Sequence, residues 1–400
     1  MMKTRFFLLF SILLWMAAAA PGAFAQKKAA DVCPYCKNDK KIYGPAGQFG
    51  HGDMPFGKTT AQDFKKFLSY AAPIFIETKH FRICLTLEGF TIPEKDWKLY
   101  EAELLALSKQ FPLIKPKERI LDPWLRLHLF AQRCEERYTR FLQLFKLTDA
   151  DFYPRTPGKP YRGEGLYLGM KDKFEVVLLR NIREFTDILR DQSGSTTKLT
   201  KREHFMERGC LSVFIPCEGD LRPDDQLWAH LTHSLAHNFL LGSKHYSYEP
   251  PKWFEEGLAH FFEKEVHPEF NSFDSEEAAL AEMTNADDWR AETLKILGKG
   301  KAAPLAELVH KQTFSQISKN DHVIIWSKVD FMINAHANKL QAFWEQTRGR
   351  LNEKGYPDGS DITGVQRNFF KNEMNWTFAD FDREWEKWVS KVYLQKERAR

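Results

Sequence analysis

Asp224-Asp225-Gln226-Leu227-Trp228-Ala229-His230-Leu231-Thr232-His233-Ser234-Leu235-Ala236-His237-Asn238-Phe239-Leu240-Leu241 reads as a helix along its whole length. Pro223 and two aspartates suit its first turn and Gly242 suits its end, while Leu227, Trp228, Leu231, Leu235 and Phe239 form an apolar stripe. His230, His233 and His237 fall at i, i+3 and i+7, so their imidazoles share one other face. Histidines at i and i+4 can chelate one zinc ion, which then needs a third protein ligand, and a catalytic zinc leaves its fourth position to water. A second helix after Pro250-Pro251 offers that ligand: in Lys252-Trp253-Phe254-Glu255-Glu256-Gly257-Leu258-Ala259-His260-Phe261-Phe262-Glu263, Trp253, Leu258, Phe261 and Phe262 face the core and Glu256 lies in the first turns. Gly257 costs about 1 kcal/mol relative to alanine within a helix, which predicts close approach of another backbone or of the metal site.

His-x-x-x-His, followed after 15 residues by Trp-Phe-Glu-Glu-Gly-Leu-Ala, so that 18 residues separate His237 from Glu256, resembles the gluzincin metallopeptidases, in particular those of the aminopeptidase type and the peptidase-MA-like proteins secreted by bacteria. The resemblance implies an α+β, zincin-like fold: a mixed sheet, with Cys210 to Ile215 as its edge strand for an extended peptide, then two adjacent helices carrying the site, then an all-helical lobe across a cleft. It implies zinc held by His233, His237 and Glu256, with His260, at i+4 from Glu256, orienting a ligand imidazole. The likeness spans residues 75 to 394, but only His233 to Glu256 is specific enough to assign residues.

The chain departs from the family at one position. The family motif is His-Glu-x-x-His, whose glutamate takes a proton from the zinc-bound water and passes it to the leaving amine. Here that position is Ser234. A hydroxyl is a far weaker base than a carboxylate, and losing general acid-base catalysis costs about 10²- to 10⁴-fold in rate. Two side chains are candidate substitutes. His230 is at i−4 from Ser234, and Glu255 neighbours the expected ligand but points about 100° around the helix from it. The expectation is a zinc-binding, catalytically impaired or inactive peptidase homologue that holds a peptide or protein in a cleft. The alternative is an active zinc-dependent hydrolase whose base is His230 or Glu255. Tyr246 and Tyr248, near the same stretch, read as packing residues rather than oxyanion stabilisers.

Working outward, the chain has 400 residues, 43% apolar and 28% charged, which excludes general disorder, and its 19 prolines and 22 glycines follow no period, which excludes collagen-like and repeat architectures. Residues 1 to 25 carry Lys3 and Arg5, an apolar run from Phe6 to Ala20, and Ala23-Phe24-Ala25 before Gln26. These are the marks of a secretory signal peptide, which predict a periplasmic or extracellular protein with no integral membrane segment. Without Lys3 and Arg5 there remain 56 basic against 54 acidic residues, interleaved along the chain, so no nucleic-acid partner is expected.

Export makes Cys33, Cys36, Cys84, Cys134, Cys210 and Cys217 disulfide candidates, although Cys210 and Cys217 pair only if the chain turns sharply at Pro216. Residues 26 to 69 read as an irregular arm. Its Cys33-Pro34-Tyr35-Cys36 is read first as a local disulfide or as half of a small metal knuckle with His51 nearby, and less readily as a redox dithiol, since no strand precedes it.

Residues 70 to 222 read as an α+β lobe. Phe81, Ile83, Leu85 and Leu87 alternate with Arg82, Cys84 and Thr86 as in a half-buried strand, helices are expected from about Pro93 and over Trp124 to Leu147, and Phe174 to Arg180 and Cys210 to Ile215 are further strands. The helix pair occupies 223 to 274. A helical lobe, 275 to 400, is expected to include Val323 to His336, Leu340 to Leu351, Asp361 to Met374 and Phe378 to Leu394, with Trp326, Trp344, Trp376, Trp385 and Trp388 as packing anchors.

Overall fold

The computed structural model describes residues 32–153, 161–243, 250–277, 288–348 and 350–398. The expected signal peptide, Tyr246 and Tyr248 lie outside them. Among the described residues, six strands form one mixed sheet: β1 (Gln48–Gly50), β2 (Ile74–Thr78), β3 (Phe81–Leu85), β4 (Phe174–Leu179), β5 (Lys201–Phe205) and β6 (Cys210–Pro216), in the order β1-β2-β3-β4-β6-β5. Strands β3, β4 and β6 are parallel, with Ile83 opposite Val176 and Val176 opposite Val213, and the outer pairings are antiparallel.

Alternate side chains of these strands enter two different cores, as a period of two requires. Ile83, Leu85, Val176, Leu178, Val213 and Ile215 face the main core, while Phe75, Cys84, Val177, Leu179 and Phe214 join a second one. That second core is closed by Phe56, Phe64, Leu68, Phe185 and Ile188. The strand expected to be half-buried is therefore buried on both faces, and Arg82, on the face read as solvated, is buried against Glu77 and Asp172.

Two further expectations are corrected. Cys210 to Ile215 is not an edge: β6 lies between β4 and β5. The end strand is Lys201-Arg202-Glu203-His204-Phe205, whose charged residues give no apolar alternation to read. The N-terminal arm is not irregular throughout, because residues 48–50 pair with β2 and residues 61–67 form a short helix that Thr60 caps by accepting from the Asp63 amide. All six cysteines are free and buried, and extended β6 separates Cys210 from Cys217.

Among the described residues, the helices of eight residues or more are α1 (Trp97–Gln110), α2 (Pro123–Leu144), α3 (Ile182–Ser193), α4 (Asp224–Gly242), α5 (Lys252–Val266), α6 (Trp289–Gly298), α7 (Lys319–Ala335), α8 (Ala337–Thr347), α9 (Ile362–Phe369) and α10 (Phe378–Arg398). Helix α2 starts where Pro123 takes its first position and the Asp122 carboxylate accepts from the Trp124 and Leu125 amides. Helices α2 and α4 lie on the main-core face, where the Phe239 ring sits 5.4 Å from Phe141 and 5.3 Å from Phe174 between centroids. That core continues without a break into the C-terminal helices as far as Tyr393.

The helix expected over Leu340 to Leu351 ends at Thr347, and Arg350–Leu351 pairs with Pro357–Asp358 in a small ribbon. The one expected over Asp361 to Met374 divides into α9 and a π-helical turn, Phe370–Met374. Trp326, Trp344 and Trp385 are buried, and Trp385 donates its indole N–H to Ser327 at 3.0 Å. Among the described residues no helix is long and apolar enough to cross a membrane.

Candidate metal centre

Helices α4 and α5 pack side by side, and the face of α4 that carries histidine is as fully buried as its apolar stripe. A third helix closes the arrangement: a Cβ at Gly257 would stand 2.5 Å from Val329 Cγ2 and 2.8 Å from the Ile325 carbonyl oxygen. The glycine thus serves the approach of α7 to α5, not the approach of a metal.

His233 and His237, one turn apart, bring their Nε2 atoms within 3.3 Å of each other. His237 Nε2 lies 3.6 Å from Glu256 Oε2 and 3.1 Å from Glu277 Oε1, and His233 Nε2 lies 3.3 Å from Glu277 Oε2. These four residues offer nitrogen and oxygen atoms that all lie within 4.8 Å of one another, a group able to hold a metal ion. The structure therefore brings together His233, His237 and Glu256 and adds Glu277 to them. Glu277 is held by the Asp274 amide, which donates to Oε2 at 2.9 Å, and by Arg202 at 3.6 Å from Oε1.

The far side of His237 is occupied by Glu255. The imidazole Nδ1–H donates to Glu255 Oε1 at 3.0 Å, and Lys252 Nζ donates to the other oxygen at 2.9 Å. With Nδ1–H given to Glu255, Nε2 is the nitrogen that faces Glu256 and Glu277, and it is free for a metal ion once it releases its own proton. Glu255 thus orients a ligand instead of facing the donors. His230 turns elsewhere as well: its Nε2 is 2.6 Å from the Thr200 hydroxyl, and burial, followed by the neighbouring His233, lowers its pKa to about 4. The Ser234 hydroxyl is buried without a hydrogen-bond partner.

His260 meets a carboxylate where an imidazole was expected. Its Nε2 is 3.1 Å from Glu256 Oε1 and its Nδ1 is 2.8 Å from Glu263 Oε2, while His322 Nδ1 approaches Glu256 Oε1 at 2.9 Å. Two further groups that could hold an ion, Glu256 with His260 and His322 and His233 with His260 and Glu263, therefore overlap the first.

The electrostatics favour a cation among these donors. Burial opposes ionisation of both Glu256 and Glu277, and Glu277 adds a repulsion on Glu256, yet the facing histidines hold both carboxyls below the ordinary range. Burial and Arg202 oppose a charge on His237, but Glu255 and Glu277 outweigh them and carry its pKa up to about 9. Glu256 Oε2 and His233 Nδ1 are buried without a hydrogen bond, while Glu256 Oε1 and Glu277 Oε1 have imidazole nitrogens at 2.9–3.1 Å. Orphaned buried carboxylate oxygens are costly unless something positive meets them, and a divalent ion at the four converging donors would do so.

Glu277, Glu263 and His322 escaped the sequence reading. Glu277 lies in a non-periodic stretch 21 residues beyond Glu256, and its only local signal is the acidic run Asp274-Ser275-Glu276-Glu277. No family model, curated protein or solved structure matches this chain, so the chemistry of the centre stands on its own geometry.

Proposed function

We propose that this chain is an exported, gluzincin-like zinc protein that is catalytically silent, and that it holds a peptide or protein partner without cutting it. His233, His237, Glu256 and Glu277 would bind the zinc. Imidazole and carboxylate donors in a group of four suit zinc, and four protein ligands mark a structural centre, whereas a catalytic one keeps a position for water. The observation that carries the reading is the combination of Ser234 and Glu277: the position of the base has no carboxylate, and a fourth protein donor lies within reach of the other three, whereas a hydrolase keeps one position for water. When bound, the ion supplies positive charge to two buried carboxylates. The chain's own residues tie α4, α5 and the 274–277 segment around it, with Glu255 and Lys252 fixing the His237 ring.

With β6 internal, the strand that would receive an extended peptide is β5, where Lys201, Glu203 and His204 are partly exposed. The test pairs elemental analysis of the full mature protein, purified without chelator, with hydrolysis of a mixed pool of unstructured peptides. The expected result is one zinc fewer per chain in His233→Ala than in the wild type, and no peptide turnover by either protein. Zinc-dependent turnover that collapses in His233→Ala would overturn the silent reading and return His230 or Glu255 as base. Equal metal content in the two proteins would remove the centre itself.

A further inference from the structure

In a group that shares no residue with that centre, Cys33, Cys36, His51 and His128 converge from three separate stretches of chain. Both cysteines and His128 are fully buried and His51 is 6% exposed. Their donor atoms lie within 4.8 Å of one another, with Cys33 Sγ 3.2 Å from His128 Nε2 and Cys36 Sγ 3.1 Å from His51 Nε2. The cysteine pair is shaped by a tight turn in which Lys37 and Asn38 take left-handed backbone, at φ 53° and 55°. Within it, Lys37 N–H donates to the Cys33 carbonyl at 2.9 Å, and Tyr35 N–H points to Cys33 Sγ at 3.4 Å.

The outer nitrogens of both histidines are already assigned. His51 Nδ1 is 2.7 Å from the Phe75 carbonyl oxygen, which can only accept, so the proton sits on Nδ1 and Nε2 presents a bare lone pair to the thiols. His128 Nδ1 is 3.1 Å from the Gln48 amide, whose Oε1 is buried without a partner. With that amide in its other orientation, Oε1 accepts from His128 Nδ1–H, which bares Nε2 of the second ring as well. A Cys33–Cys36 disulfide would leave both Nε2 lone pairs buried with no donor, at the cost of two unmade hydrogen bonds.

We propose that Cys33, Cys36, His51 and His128 form a second, structural zinc site, with two thiolates and two imidazole Nε2 atoms as ligands, that pins the N-terminal segment to β2 and α2. Two thiolates cancel the charge of the ion, so the complex is neutral and tolerates full burial. Loading from solution releases the two thiol protons and changes no oxidation state. A Cys-x-x-Cys pair with two histidines is a donor set of structural zinc.

Cobalt(II) separates this site from the histidine and glutamate centre, which has no sulfur to give a thiolate-to-cobalt charge-transfer band. The mature full chain is stripped of metal under reducing, oxygen-free conditions and titrated with cobalt. The expected result is a charge-transfer band saturating at one ion, retained in His233→Ala and lost in Cys36→Ser, with native Cys36→Ser carrying one zinc fewer than the wild type. Should Cys36→Ser fail to fold, the wild type decides: Cys33 and Cys36 should resist alkylation until a chelator is added. Absence of the band from the wild type, recovery of the pair as a disulfide, or alkylation at equal rates with and without chelator would each overturn the site. None of those outcomes bears on the centre at His233.

Discussion

At His237 the two ring nitrogens divide the work: Nδ1–H donates to Glu255, and Nε2 faces Glu256 and Glu277. The same division recurs at His51, where a backbone carbonyl takes the Nδ1 proton and leaves Nε2 to the cysteines. An acceptor that holds the tautomer raises ligand basicity, and its loss commonly costs 10- to 100-fold in metal affinity. Glu255→Gln keeps an acceptor but drops the charge, so the affinity of the His233 group for the proposed zinc ion is expected to fall by about tenfold, at the mild end of that range. Competition with a chromophoric chelator measures it. An unchanged affinity would mean that Glu255 only balances Lys252 and Arg202, which lie 2.9 Å and 3.7 Å from its oxygens.

Among the elements, the close contact of α5 with α7 places His322 against Glu256 of the candidate metal centre. A methyl at Gly257 would press on the Ile325 carbonyl, which is backbone inside a helix and cannot rotate away. Overpacking of this kind costs about 1–3 kcal/mol, against a gain of about 1 kcal/mol in helix propensity. Gly257→Ala is expected to lower stability by about 1 kcal/mol, read as a lower denaturation midpoint at unchanged slope. A more stable variant would show that the two helices separate freely. Metal content should follow, because His322 on α7 reaches Glu256 at 2.9 Å only while the helices stay close.

For the molecule as a whole, part-buried ion clusters such as that of Asp172 tie the sheet to its loops and give stability a dependence on pH. Asp172 accepts from Arg82 at 2.8 Å and from Arg208 at 2.6 Å. Burial acts to raise its pKa, but the two guanidinium groups prevail and hold it below the ordinary aspartate value. A folded pKa below the unfolded one means that stability is present above about pH 4 and is lost as the pH falls through the lower, folded value. The difference in unfolding free energy between wild type and Asp172→Asn should therefore be about 1.5–3 kcal/mol near pH 6 and shrink steadily below pH 4. Comparing the two proteins at each pH cancels the protonation of metal ligands common to both. A difference that stays constant down to pH 2 would mean that Asp172 titrates alike in the folded and unfolded chain, so that its ion pairs contribute nothing.

What the sequence determined by itself is local. The spacing of His233 and His237, the turn that carries Glu256, the replacement at Ser234 and the helical course of α4 and α5 all follow from periods of three to four residues that one segment carries alone. Gly257 was legible as a close approach, though not as an approach to α7. The tertiary structure alone decided the rest, because it depends on which distant segments meet. Glu277, His322 and His128 lie in stretches whose own pattern announces nothing, and they become donors only where the packing of α4, α5, α7 and α2 brings them within reach. The internal place of β6 and the end position of β5 were hidden for the same reason: a charged strand has no alternation to read, and strand order is set by contacts that no local pattern contains.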